Sequence, residues 1–123
     1  EGEVWKTSNQ AGSWLKIDLV SYRVRPTRYS LRCNGSCKLR NWELQGSCDG
    51  ESWSVLRRHS GDEALTADAA TSSWDVEAEH DGEEWFRMLR VYQTGQNSLG
   101  SYFLSLSGFE VYGALREENK VVL

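Results

Sequence analysis

The side chains able to do chemistry are few and scattered. Two histidines, His59 and His80, three cysteines, Cys33, Cys37 and Cys48, and the acids Asp49, Glu51, Asp62 and Asp68 are the residues from which a catalyst would be assembled. Catalysis needs an activated nucleophile, or a paired acid and base, in one pocket. Cys48 sits in a Ser47-Cys48-Asp49-Gly50 turn with no basic neighbour or helix start to lower its pKa. Acids in such turns usually serve the turn, so no catalytic residue is expected. The cysteines are odd in number and lack the paired Cys-x-x-Cys spacing of a zinc site, so they read as reduced thiols, and no metal or cofactor is expected. A bridge between Cys33 and Cys37 across their short loop is the alternative. Recognition chemistry is better supplied. Arg32 and Arg40 flank that loop, and a planar guanidinium suits a carboxylate, a phosphate or the hydroxyls of a sugar. The plain reading is that both arginines are solvated or pair with Glu43 across a strand ladder.

The elements that must position these residues read as strands. From Leu39 to Trp53, Trp42, Leu44 and Gly46 alternate with Asn41, Glu43 and Gln45, then Asp49-Gly50 supplies a reversal and Trp53 and Val55 resume the alternation. This is a β-hairpin of Arg40 to Gly46 with Ser52 to Arg58. Trp14 to Val20 alternates with Leu15, Ile17 and Leu19 inward. Pro26 marks the entry to a strand from Thr27 to Arg32 with Thr27, Tyr29 and Leu31 inward. Ser73 to Ala78, Trp85 to Tyr92 (slipping at Met88-Leu89) and Phe103 to Tyr112 (slipping at Ser107-Gly108) complete the set, and each slip reads as a bulge. Residues 114–123 read as a charged tail or linker after a single domain at 1–113. His59 to Ser72 is a long loop without an apolar stripe.

Seven or eight short strands with no helix imply an antiparallel sandwich. If each strand runs opposite to its predecessor, the loops at Lys6 to Ser13, Cys33 to Lys38, His59 to Ser72 and Gln93 to Tyr102 share one end. The turns at Ser21 to Arg25, Ser47 to Ser52 and Glu79 to Glu84 share the other, which separates His59 from His80. The longer, less acidic loops form the expected binding end, with Lys6, Asn9, Arg32, Arg40, His59, Gln93 and Asn97 as candidate contacts. Individually, each loop residue reads as structural or neutral. Trp5 is either an exposed anchor or a staple, and core packing is expected of Trp14, Trp42, Trp53, Trp74 and Trp85.

At 123 residues the chain is one domain, large enough to fold without disulfide or metal. Six Trp, five Tyr and three Phe point to a core of large rings. The net charge of −4 (14 basic against 18 acidic side chains) argues against a nucleic-acid or anionic-membrane partner. There is no membrane-length apolar run and no signal peptide. Asn34-Gly35-Ser36, a formal glycosylation acceptor, is the one hint of secretion, whereas the thiols favour an intracellular setting. A first residue that is not Met reads as a segment of something larger.

Four motifs in order, Trp14-Leu15-Lys16-Ile17-Asp18-Leu19, Ser47-x-Asp49-Gly50-x-x-Trp53, Phe86-Arg87-x-x-Arg90-Val91 and Leu106-Ser107-Gly108-Phe109-Glu110-Val111-Tyr112-Gly113, resemble the discoidin, or coagulation factor V/VIII type C, domain. The resemblance implies an all-β, galactose-binding-like jelly-roll of about eight antiparallel strands. Tyr29-Ser30-Leu31-Arg32, Leu39-Arg40-Asn41-Trp42 and Gln93-Thr94-Gly95 are most similar to the intracellular branch, found beside BTB domains and in large HECT-type ubiquitin ligases. The disulfide that ties the ends of secreted members has no counterpart here, the usual opening strand is short or absent, and Lys6 to Ser13 offers no acidic ligand for the calcium some relatives hold. The resemblance therefore implies a non-catalytic recognition module of a larger intracellular protein, binding a protein or peptide partner. The alternative is a carbohydrate-binding module of a secreted or surface protein. A sugar site wants an aromatic ring under the sugar, and only Trp5 and Tyr102 lie in these loops.

Overall fold

The computed structural model describes residues 10–67, 69–76 and 84–118, with the backbone alone at Trp5–Lys6. Among the described residues there is no helix, and the strand segments are β1 (Trp5–Lys6), β2 (Trp14–Asp18), β3 (Tyr22–Arg32), β4 (Trp42–Ser47), β5 (Ser54–His59), β6 (Thr71–Asp75), β7 (Met88–Gln93), β8 (Ser105–Leu106) and β9 (Gly108–Glu117). One sheet has the order β2-β7-β4-β5, a second the order β6-β3-β9, and β1 pairs with β8. All pairings are antiparallel. The inward faces of the two larger sheets enclose Tyr29, Leu31, Trp42, Leu44, Leu56, Phe86, Leu89 and Val91, with Leu104 and Leu106 beside them. The antiparallel sandwich expected from the strand pattern, in the jelly-roll form that the resemblance implies, is the observed fold.

The hairpin forms for local reasons. Asp49 Oδ1 accepts the amides of Glu51 (2.8 Å) and Ser52 (2.9 Å), and Gly50 takes φ 81°. Beyond it the alternation shifts, because a bulge opposite Leu44/Gln45 inserts a residue into β5. Leu56 therefore lies in the core, and Trp53 and Val55, expected to be buried, are only half-buried. Leu15, Ile17, Leu19, Phe109 and Val111 are also half-buried, since β2 and β9 are edge strands. Trp14 lies on the outer face and is 46% exposed, not a core residue.

Pro26 lies inside β3 instead of opening it. Its missing amide is tolerated at a register shift between Pro26 and Arg28, opposite Gly113. Met88 and Leu89 are both buried without any bulge in β7: the register runs on unbroken, and the turn at Gly50 covers Met88 on the outer face. At Ser107 the chain changes partner, from β1 to β3. β9 continues to Glu117, so the first residues of the expected tail are strand, paired with Tyr22 to Arg25. Residues 119–123 lie outside the described set.

Cys33 and Cys37 are buried and unbridged, and Cys48 is exposed. Burial pushes the Cys33 thiol above its ordinary value, and its Sγ donates to the Ser105 carbonyl at 3.3 Å. One thiol, Cys48, is expected to react quickly with Ellman's reagent in the native protein, and three after denaturation without reductant. A single reactive thiol in the denatured protein would mean that a disulfide forms.

Candidate functional site

The end of the sandwich that carries the long loops is built around residues 33–41. The Lys38 carbonyl accepts Ser98 N (2.8 Å), the Arg40 carbonyl accepts Asp62 N (2.9 Å), the Asn41 carbonyl accepts Thr94 N (3.0 Å), and Cys33 N donates to the Ala70 carbonyl (2.8 Å). Ser13 joins through its carbonyl, which accepts Gln93 N at 2.8 Å. At the opposite end, Val24 and Phe86 exchange backbone hydrogen bonds, and Arg87 N donates to the Ser47 carbonyl. Among the described residues the loops at 33–38, 59–72 and 93–102 form one interlocked rim, as the alternation of ends inferred from strand order expects, while residues 7–9 and 79–83 of the other inferred loops, His80 among them, lie outside the described residues.

Three candidate contacts on that rim turn inward. His59 is 5% exposed, and its ring stacks on Trp42 at 3.9 Å. Trp42 Nε1 has only a proton to give, and it gives it to the Tyr29 hydroxyl at 2.9 Å. Tyr29 in turn donates to His59 Nε2 at 2.6 Å, which leaves Nδ1 protonated and donating to Asp62 at 2.8 Å. The imidazole is a buried core group that ties the loop after β5 to both sheets. Burial holds the Tyr29 phenol far above its ordinary value. Burial also pushes the Asp62 carboxyl up, but the Ala64 amide and His59 outweigh it and the net shift is downward. Asp62 therefore adds stability that is present above the ordinary carboxylate pKa and lost as pH falls through its lowered value.

Asn97 is 6% exposed and scaffolds its own loop: Oδ1 accepts Leu99 N (3.0 Å) and Ser101 N (3.1 Å), and Nδ2 donates to the Phe103 carbonyl (3.0 Å). Gln93 is 1% exposed, beside Trp42 in register, and neither its Oε1 nor its Nε2 has a hydrogen-bond partner among the described residues. A buried amide in that condition is costly. Gln93→Met, nearly the same shape without the polar atoms, is expected to raise stability by about 1 kcal/mol in urea melts. A loss of similar size would show that the amide is satisfied in solution.

Of the two arginines, Arg32 stays at the surface and Arg40 is half-buried. Arg32 is exposed, and Nε and Nη2 donate to Ser107 Oγ (3.2 Å) and the Ser107 carbonyl (3.1 Å), which fixes its direction. It lines a small cleft of about 130 Å³ with Ser30, Thr71 and Glu110. Arg40 does not pair with Glu43; it faces Glu63 at 3.5 Å, while Glu43 takes Arg58 at 3.2 Å. The Lys6 side chain and all of Asn9 lie outside the described residues. Among the described residues no group of His, Cys, Asp or Glu is arranged to hold a metal ion. No helix there is long and apolar enough to cross a membrane.

Two features escaped the sequence reading. One is an open apolar slot of about 620 Å³ between edge strands β2 and β9, lined by Ile17, Leu19, Val24, Leu89, Val111 and Leu115. The other is an aromatic and cationic cluster on the outer face of the four-stranded sheet, where Arg90 lies over Trp53 (4.0 Å), Tyr92 (4.9 Å) and Trp14 (5.9 Å). The alternation of Trp14 and Lys16 with the apolar residues of β2 signalled an outer face, but only the strand order brings Trp53 to it.

No family model matches the chain. It is 41% identical over 111 residues to E3 ubiquitin-protein ligase Ufd4 of Drosophila melanogaster and, equally, to E3 ubiquitin-protein ligase hecd-1 of Caenorhabditis elegans, in each case 87% of this chain. A BTB/POZ domain-containing protein of Arabidopsis thaliana is 31% identical over 108 residues, 85% of this chain. The chain spans only 4% of each ligase and 13% of the BTB/POZ protein. Among solved structures, chitosan-binding module 2 of a Paenibacillus sp. IK-5 chitosanase/glucanase, in complex with chitotriose, superposes with TM-score 0.65 and 23% identity, over 89% of this chain and 77% of that one. The Clostridium perfringens module CpGH89CBM32-5, in complex with GalNAc-β-1,3-galactose, does so with TM-score 0.68 and 11% identity, over 91% and 76%. The chain has the antiparallel β-sandwich fold of these solved modules, the discoidin-like fold, and its sequence relatives include short segments of E3 ubiquitin-protein ligases and of a BTB/POZ domain-containing protein.

Proposed function

We propose that this sandwich is a non-catalytic recognition module of an intracellular ubiquitin-ligase-type scaffold, and that it holds a protein or peptide partner on the long-loop end. The observation that carries the reading is the interlocked rim itself. It presents Arg32 in a fixed direction and Leu99 at 63% exposure on loops tied to one another through their backbones. A preorganised cation with an exposed aliphatic side chain suits a peptide better than a sugar, which asks for an exposed ring. The carbohydrate reading has its own support, since the solved neighbours are described in complex with chitotriose and with GalNAc-β-1,3-galactose.

The test compares partner recovery by proximity labelling in the full-length protein with glycan-array binding by the 123-residue chain. Reversing Arg32 and Arg40 to Glu together is expected to abolish partner recovery, and reversing Glu84, at the other end, to Lys together with Glu79 is expected to leave it intact. The opposite pattern overturns the assignment of the binding end. A simple sugar that binds the chain and is lost in Arg32→Glu establishes the carbohydrate reading in its place.

A further inference from the structure

The outer face of the β2-β7-β4-β5 sheet carries two registered rows of side chains. One runs Trp14, Tyr92, Glu43, Arg58 and the next runs Lys16, Arg90, Gln45, Val55. Lys16 and Arg90 stand directly opposite each other, and like charges in that relation repel. Neither has a carboxylate within ion-pair distance among the described residues. Glu43, whose charge reaches Arg90, spends one oxygen on Gln45 Nε2 (2.8 Å) and the other on Arg58 Nε (3.2 Å).

Arg90 is nevertheless held firmly. Nε donates to Gln45 Oε1 at 2.7 Å, and the guanidinium lies over Trp53, Tyr92 and Trp14. Desolvation among these rings pushes its pKa below the ordinary arginine value. Its terminal nitrogens make no hydrogen bond among the described residues, so the fork that would grip a carboxylate is fixed in place and unspent. Lys16 lies over the other part of the cluster, 5.4 Å from the Trp14 ring, and is exposed. Trp14, 46% exposed, offers apolar area beside both cations. On a chain of net charge −4, this face sets Lys16, Arg90 and Arg58 against Glu43 and Asp18, and Asp18 is already taken by Arg87 at 3.0 Å.

We propose that the outer face of this sheet is a docking surface for an acidic peptide segment of a protein partner. A carboxylate bridges Arg90 and Lys16, and an adjacent apolar side chain lies on Trp14. The surface lies on the outer face of the sheet and adjoins the long-loop end where Ser13 and Gln93 precede and follow Trp14 and Tyr92, but its test reads Trp14, Trp53 and Arg90 and does not depend on that end binding anything.

The probe is a capped hexapeptide of alternating Glu and Leu, titrated into the isotope-labelled 123-residue chain at low salt, with a Gln/Leu hexapeptide as control. The indole N–H signals of Trp14 and Trp53 and the Nε–H signal of Arg90 are expected to shift with the Glu peptide only. Lys16→Gln is expected to weaken binding roughly five-fold, and raising the salt to about 0.3 M roughly ten-fold. Lys16→Glu places an anion opposite Arg90, so it should abolish binding while raising Tm by on the order of 2 °C, a result that a misfolded variant would not give. Absence of shifts, equal shifts with the Gln peptide, or unchanged binding by Lys16→Glu overturns the proposal. Inorganic phosphate that shifts the same signals as strongly as the Glu peptide also overturns it, because the face would then take any small anion.

Discussion

Trp42→Ala is expected to remove roughly 3–5 kcal/mol of stability, the usual penalty for emptying a large buried aromatic site. Trp42 is 0% exposed and touches more kinds of partner than any one mechanism accounts for. Its ring stacks on His59 and meets Trp74 edge-on at 5.2 Å, and its indole N–H is the donor that sets the direction of the Tyr29–His59–Asp62 chain. Alanine leaves both a cavity and a buried hydroxyl stripped of its donor, the second worth about 1 kcal/mol more. Domains of this size hold only about 5–15 kcal/mol in total, so the variant should melt far below the parent. Tyr29→Phe separates the two contributions, since it keeps the packing, removes the hydroxyl that Trp42 Nε1 and His59 Nε2 share, and should cost about 1–3 kcal/mol. Urea denaturation measures both. A Trp42→Ala loss under about 2 kcal/mol would mean that the site collapses around the gap.

Gly113→Ala should cost on the order of 3 kcal/mol although Gly113 is exposed at the surface. Gly113 has φ 155°, within the range that side chains disfavour, and an added Cβ would lie 2.1 Å from the Arg25 carbonyl oxygen and 3.0 Å from Pro26 Cα. The obstruction is backbone on the facing strand, so no rotamer change relieves it. It falls at the register shift where β3 carries Pro26, and moving β9 aside would break the pairing of Val24 with Leu115 and of Tyr29 with Val111. Gly61→Ala is the comparison: φ there is 60°, but no atom lies within 4 Å of the added Cβ, so only the backbone strain of about 1 kcal/mol applies. Equal melting temperatures for the two variants would show that β9 can shift freely.

The strand pattern, the Asp49-Gly50 hairpin, the sandwich and the gathering of the long loops at one end were determined by the sequence itself, because period-2 alternation and turn chemistry act over a few residues. Most of the core was legible for the same reason: Trp42, Leu44, Tyr29, Leu31, Leu89 and Val91 are buried where alternation puts them. The tertiary structure decided matters of register and partnership. A single extra residue in β5 exchanged Val55 for Leu56 in the core, and the facing glycine let Pro26 sit within β3. His59, Gln93 and Asn97 are polar residues at loop boundaries, which on sequence grounds look available. Whether such a residue faces solvent or core depends on what packs above it, and Trp42, with the loop's own amides, drew His59 and Asn97 inward. The cluster around Arg90 is the same lesson in the other direction. Its rings come from β2, β7 and the residue just before β5, brought side by side by a strand order that crosses the chain, and no local pattern could place Trp53 beneath Arg90.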